Sequence, residues 1–262
     1  MRRRHTAASV SVLLVILSSG CTEPVSPSDT RDIPVSLNVI SGGDQSALEF
    51  TELAEPIVVQ LLNAKGKPVA GQIVNFRAVQ GGGSVWAGAS VTDAKGLAKD
   101  WWTLGTADLR NLLEARAIDP ATGAQLVLGT IVIAPQKLID PLVQFQCGSQ
   151  TTWTPPNSGP LPGECYGSAP DLPSYPNSTP IAVRIRVVHN GTEPVPNMWL
   201  DFFASHNDDT GTAPTVSPVY GRTDAQGITS TTFTTGSRQV LNSLLVVGPN
   251  GIQRVQEFKA GY

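Results

Sequence analysis

The sequence predicts an all-β protein built from two copies of one unit. Three observations carry this reading. Short apolar runs alternate with polar residues and are punctuated by Gly, Pro, Asn and Asp. No stretch of the body keeps a helical period. A pattern in the first half of the chain returns in the second half. Composition fits: Val, Thr, Gly and Pro are plentiful, hydrophobic residues make up 40% and charged ones 15%, so a core can form. The 262 residues allow one large domain or two small ones, at ~100–200 residues per domain.

The N-terminus reads as a targeting segment. Arg2, Arg3 and Arg4 form a cationic start, and Ala7 to Leu17 form an apolar stretch. That stretch is shorter than the roughly 20 residues a spanning helix needs, but it suits a secretory signal. Leu17-Ser18-Ser19-Gly20-Cys21 follows and resembles a bacterial lipobox. It departs from the usual pattern in placing Ser18, not Leu, third before the Cys. The resemblance implies a signal peptide over 1–20 and a lipid on Cys21; ordinary signal cleavage nearby is the alternative. Loss of 1–20 removes three basic residues and no acidic ones, which takes the formal charge from −3 to −6. Such a chain has no electrostatic reason to bind nucleic acid. Its expected membrane attachment is the lipid alone. Residues 21–34, with Pro24, Pro27 and Pro34, read as a tether stiffened by proline or as the ragged start of the first domain.

The first unit shows four runs, Ile57 to Leu62, Gln72 to Val79, Leu97 to Leu104 and Gln125 to Ile133. Asn63 to Pro68 supplies turn chemistry between the first two. The repeat then sets the organisation. Pro68-Val69 and Ile73-Val74-Asn75-Phe76 return as Pro194-Val195 and Trp199-Leu200-Asp201-Phe202, 126 residues on. Thr92-Asp93-Ala94-Lys95-Gly96 returns as Thr223-Asp224-Ala225-Gln226-Gly227, 131 residues on. The difference is an insertion between Asp208 and Tyr220, of the kind that surface loops tolerate. In each turn the Asp accepts backbone N–H groups and the Gly takes positive φ. A calcium site would need more converging oxygens than this spacing offers.

These residues resemble the bacterial Ig-like domain, group 1, the repeat of intimin and invasin stalks. The first copy carries Pro56 to Val59, Gly66 to Gly71, Val74-Asn75-Phe76, Gly81 to Val85, Thr92 to Ala98 and Trp102 to Gly105. Together they span most of 35–134. The second copy, over 138–262, lacks the triple glycine and has Asn207-Asp208-Asp209 where a turn is needed. The resemblance implies two tandem Ig-like antiparallel β-sandwiches, a spacer or adhesion role, and no catalytic residues.

Alternation assigns faces. Val74, Phe76 and Ala78 point inward, as do Leu200, Phe202 and Ala204; Trp199, Asp201 and Phe203 then lie outside. Trp102 shares parity with Ala98 and Leu104 and is expected in the core, with Trp101 outside. The same parity turns Asp100 inward, a cost to be relieved by a bulge or by a position at the sandwich edge.

Phe145-Gln146-Cys147 ends the expected first strand of copy two, and Ile181 to Val188 forms a later one. The insert at 147–180 is rich in Pro, Gly, Ser and Thr. So long a loop inside a compact domain is usually functional or stapled. Cys147 and Cys165, in an exported chain, are expected to form a disulfide, two free thiols being the alternative. The insert carries Trp153 and Tyr166. Either these fold over the outer face and cover Trp199 and Phe203, or Trp153, Tyr166, Trp199 and Phe203 form a surface for a glycan or protein ligand.

Signs of catalysis are few. Gly81-Gly82-Gly83 lacks the Lys of a phosphate loop. No Gly-x-Ser-x-Gly elbow occurs. His189 and His206 read as solvated turn residues, and no metal-ligand spacing or cofactor motif stands out. The expectation is a non-enzymatic, monomeric, lipid-anchored protein of the cell envelope, on the outer membrane where the cell has one. Its second copy would carry any recognition. A carbohydrate-binding accessory module is the rival reading.

Overall fold

The computed structural model describes residues 32–119, 121–153, 165, 174–207, 211–237 and 240–260. The lipobox cysteine Cys21 and the insert residue Tyr166 lie outside them. No described residue is in an α-helix; one 3-10 turn covers Pro249–Gly251.

The first sandwich begins with β1 (Pro34–Ser41) and β2 (Ile57–Asn63). Then come β3 (Ile73–Gln80), β4 (Ser84–Val85), β5 (Ala89–Val91) and β6 (Leu97–Asp100). β7 (Trp102–Thr103), β8 (Asn111–Ile118) and β9 (Gln125–Ile133) complete it. One sheet has the order β1-β2-β6 and the facing sheet β5-β3-β8-β9, with β4 paired to β7. The core between them holds Ile57, Val59 and Leu61 of β2, Val74 and Phe76 of β3, Leu113 and Ala115 of β8, and Trp102. Trp102 is fully buried and Trp101 half-buried, as parity requires.

The second sandwich repeats this order with its own embellishments. It runs β10 (Leu142–Cys147), β11 (Ser174–Tyr175), β12 (Pro180–His189), β13 (Glu193–Pro194) and β14 (Trp199–His206). It continues with β15 (Thr215–Ser217), β16 (Tyr220–Arg222), β17 (Ile228–Thr234), β18 (Val240–Val247) and β19 (Gln253–Ala260). Its sheets read β10-β12-β17-β15 and β11-β19-β18-β14-β16. Removing β11 leaves β16-β14-β18-β19, the order of β5-β3-β8-β9. β10-β12-β17 likewise corresponds to β1-β2-β6. Two antiparallel sheets whose strands cross between layers are the architecture of the Ig-like sandwich.

The repeat extends to single hydrogen bonds. Thr92 donates from its hydroxyl to the Val69 carbonyl at 2.7 Å and accepts the Gln72 amide at 2.9 Å. Thr223 does the same with Val195 and Met198, at 2.7 and 2.9 Å. Asp93 accepts the amides of Lys95 and Leu97, and Asp224 those of Gln226 and Ile228. Those bonds, the one from Leu97 above all, hold the Asp93 carboxyl below the usual carboxylate range. Gly96 and Gly227 take φ of 71° and 72°. A Cβ there would sit 2.6 and 2.4 Å from the carbonyl oxygens of Leu61 and Val187, so the strand turns tightly only at Gly.

Four expectations are corrected. The run Leu97 to Leu104 is two strands, broken at Trp101. Asp100 points inward as parity requires, and hydrogen bonding relieves it: its buried carboxylate accepts the amides of Ala87, Gly88 and Trp101. Three backbone donors replace the lost water. His189 is not a solvated turn residue but ends β12 buried, 3.5 Å from the Glu193 carboxylate. His206 closes β14 half-buried, paired with Asn242 of β18. The insert at 147–180 is not loop throughout, because β11 pairs in parallel with β19.

Candidate functional site

Residues from Ile33 onward form one compact unit, and the segment Leu48 to Leu53 supplies many of the contacts joining its two cores. Leu48 and Phe50 pack on the core of the second sandwich. Phe50 holds φ at 62°, a left-handed conformation that costs a bulky residue roughly 1–2 kcal/mol. Between them, buried Glu49 accepts the amides of Ala107 at 2.7 Å and Leu138 at 2.8 Å. The Glu49 amide donates to the Gln136 carbonyl and the Gln136 amide to Ala47. The connector between β9 and β10 is thereby fastened to the first sandwich.

Glu52 completes the junction. It is 4% exposed. Its amide donates to the Asn197 carbonyl at 2.9 Å. Its carboxylate accepts Trp199 Nε1 at 3.0 Å and pairs with the Arg222 guanidinium. The Arg222 guanidinium also lies 5.7 Å above the Trp101 ring. Trp86 packs on Trp199 at 5.6 Å with an interplanar angle of 31°, and Tyr220 at 5.8 Å with 55°. A buried carboxylate with two donors from the facing sandwich fixes orientation, since removing either partner leaves a charge or donor unsatisfied.

The expected covering of Trp199 and Phe203 by Trp153 is corrected. Trp199 is covered by Trp86 of the first sandwich. Trp153 lies instead against the other sheet, 5.3 Å from the Arg184 guanidinium and 5.8 Å from that of Arg186. The two arginines leave β12 on one face and offer cations to its ring. Phe203 stays 53% exposed on the outer face of β14. Of the four candidate ligand residues, Trp199 and Phe203 share one sheet, Trp153 sits on the opposite one, and Tyr166 is outside the described residues. Cys147 and Cys165 are joined as a disulfide, both buried, with Cα atoms 5.3 Å apart. Gln150 Oε1 accepts both cysteine amides, which anchors the base of the insert.

Sequence reasoning missed Glu52, Trp86, Tyr220 and Arg222. Glu52 lies 147 residues from Trp199 and 170 from Arg222, so no local pattern marks the pairing. It also passed over Arg184 and Arg186, although Arg-Ile-Arg within an apolar run is a legible signal. A groove of 340 Å³ between β1 and β9 is lined by Val39, Ile40, Asp44, Thr130 and Val132 among others, with Asp44 its one ionisable side chain. Among the described residues no group of three His, Cys, Asp or Glu is placed to hold a metal ion. No described helix is long and apolar enough to cross a membrane.

No family model and no curated protein matches the chain. Among solved structures it is similar to the D0-D1 domain of intimin, with 14% identity over 86% of this chain and 98% of the other, at a TM-score of 0.28. The D00-D0 domain of intimin gives 15% identity over 85% and 98%, at 0.27. A putative membrane anchored protein from Corynebacterium diphtheriae gives 8% over 86% and 59%, also at 0.27. At such scores the fold of this chain rests on its own strand order: two Ig-like β-sandwiches.

Proposed function

We propose that this protein is a non-enzymatic module of the cell envelope, held by a lipid on Cys21, in which two Ig-like sandwiches act as a stiff spacer or adhesion arm. The junction at Glu52 supports this reading most. Sandwiches joined by a short connector and polar contacts swing by default. Here a buried carboxylate, a Trp pair and two apolar side chains set into the neighbouring core hold one orientation. Stiffness is what a spacer requires and what a pair of independent binding domains does not. The rival reading, a carbohydrate-binding accessory module, would use a flat aromatic row. The rings of Trp86, Trp199 and Tyr220 are inclined by 31° and 55°, a geometry suited to packing.

Two experiments test the proposal. Small-angle scattering of the mature chain is expected to fit one orientation, and of Trp199→Ala a spread of orientations. A wild-type curve that needs a broad ensemble would overturn the spacer reading. For the anchor, Cys21→Ala is expected to move from the detergent phase to the aqueous phase on partitioning. Unchanged partitioning would remove the lipid from the account.

A further inference from the structure

The outer face of the sheet β10-β12-β17 carries charge of one sign. Directly paired strand residues share a face. By the pairing of β10 with β12, Gln146 stands opposite Arg184 and Gln144 opposite Arg186. By the pairing of β12 with β17, Ser230 stands opposite Arg184, Ile228 opposite Arg186 and Thr232 opposite Ala182. No carboxylate belongs to this strand face. The chain as a whole has 21 acidic residues against 18 basic ones, so a purely cationic face runs against its average.

The two guanidinium groups are also under-used. Arg184 donates to Gln146 Oε1 at 2.6 Å, and Arg186 makes one long bond of 3.4 Å to the Thr192 carbonyl. Each guanidinium has five N–H donors, so most of the set has no acceptor among the described residues. Neither arginine has an ion pair among the described residues. Like charges this close on one strand repel, and among the described residues only the Trp153 ring offsets the repulsion. The half-buried Trp153 ring lies over both, so their faces are partly dry while their edges remain open. Gln144 Oε1 is buried here without a donor. A fold built only for stability would place a carboxylate in this position.

We propose that Arg184, Arg186 and Trp153 form a binding site for an acidic glycan. The acid group takes the free guanidinium edges in the bidentate manner that arginine favours. The C–H face of a sugar ring lies against Trp153, and Gln144, Ser230 and Thr232 offer hydrogen-bonding partners to hydroxyl groups. An acidic chain repels long polyanions but accommodates one acid group set among neutral hydroxyls. The disulfide Cys147–Cys165 closes the stretch of chain that carries Trp153. The site is separate from the junction of the spacer reading, so either proposal stands or falls without the other.

The test is calorimetric titration of the full mature chain with uronate, sulfated and phosphorylated oligosaccharides, against a methyl-esterified uronate and a neutral maltooligosaccharide. At least one acidic oligosaccharide is expected to bind, more weakly as salt rises, while the two uncharged ones do not. The double change Arg184→Gln and Arg186→Gln is expected to lower the affinity at least about tenfold. Changing the exposed Arg77 and Arg110 to Gln should leave it unaltered. Trp153→Ala is expected to weaken binding; the arginine variants, altered only at the surface, keep the test valid should the tryptophan variant lose fold. Three results would overturn the proposal: no binding by any acidic oligosaccharide, equal binding by the esterified uronate, or equal competition by polyglutamate, which would mean charge alone.

Discussion

Asp100 shows how a residue that looks misplaced is accommodated. A carboxylate inside a sandwich is costly unless donors meet it, and the amides of Ala87, Gly88 and Trp101 do so. Thr92 and Thr223 solve a smaller version of the same problem, each closing a strand-to-turn corner with one donated and one accepted bond. Val has the same shape without the hydroxyl. Thr92→Val and Thr223→Val are each expected to cost about 1–3 kcal/mol, because a buried amide and carbonyl lose their partner; chemical denaturation measures this. Asp93 gives a pH-dependent counterpart. Its folded pKa is depressed by the Leu97 and Lys95 amides, so its stabilisation is present above the unfolded pKa and lost as pH falls through the folded one. The melting-temperature gap between wild type and Asp93→Asn is therefore expected at neutral pH and to close below about pH 4.

At the scale of elements, β8 is the instructive case. It is one of the two inner strands of its sheet, yet its buried positions are Asn111, Leu113, Ala115 and Ala117. Two alanines and an asparagine give little hydrophobic alternation, so the run passes unseen in the sequence. Small residues here stand beside large ones: Ala115 pairs directly with Phe76 of β3, and both lie in the same core as Trp102. Asn111 serves as a clamp, its side-chain oxygen accepting the Gly105 amide, and Asn242 repeats this with Gly236 at 2.6 Å. The disulfide acts on another element, the insert. Cys147 and Cys165 close a separation of 18 residues. The double change to Ser is expected to lower stability by about 3 kcal/mol in the chain-entropy view. Thermal melts of reduced and oxidised wild type provide the comparison, and coincident melts would remove the staple from the account.

For the whole molecule the decisive contact is Glu52 with Trp199 and Arg222. The partners are unequal in burial: the Glu52 side chain is 5% exposed and the Arg222 side chain 35%. Loss of Arg222 strands a buried carboxylate, whereas loss of the Glu52 charge leaves a guanidinium that water already reaches. Arg222→Ala is therefore expected to destabilise more than Glu52→Gln, by roughly 1–3 kcal/mol. Equilibrium unfolding of both variants decides the order. Equal losses would mean that the pair contributes through packing of Trp101 and Trp199 and not through charge.

What the sequence determined by itself is local and repetitive. Strand alternation placed Val74, Phe76, Leu200, Phe202 and Trp102 inside, because a period of two needs no knowledge of the partner sheet. The Thr-Asp-Ala-x-Gly turns were readable because their donors and acceptors lie within a few residues of one another. The pairing of Cys147 with Cys165 was readable because the chain offers only one further cysteine, at the expected lipid site. Tertiary structure alone decided what covers an exposed aromatic. Trp199 meets Trp86 and Glu52, and Trp153 meets Arg184 and Arg186, through contacts between strands far apart in the chain. Side-chain parity says which face a residue occupies, but the neighbour on that face depends on how sheets and sandwiches are set against one another, and that is fixed by the sum of both cores.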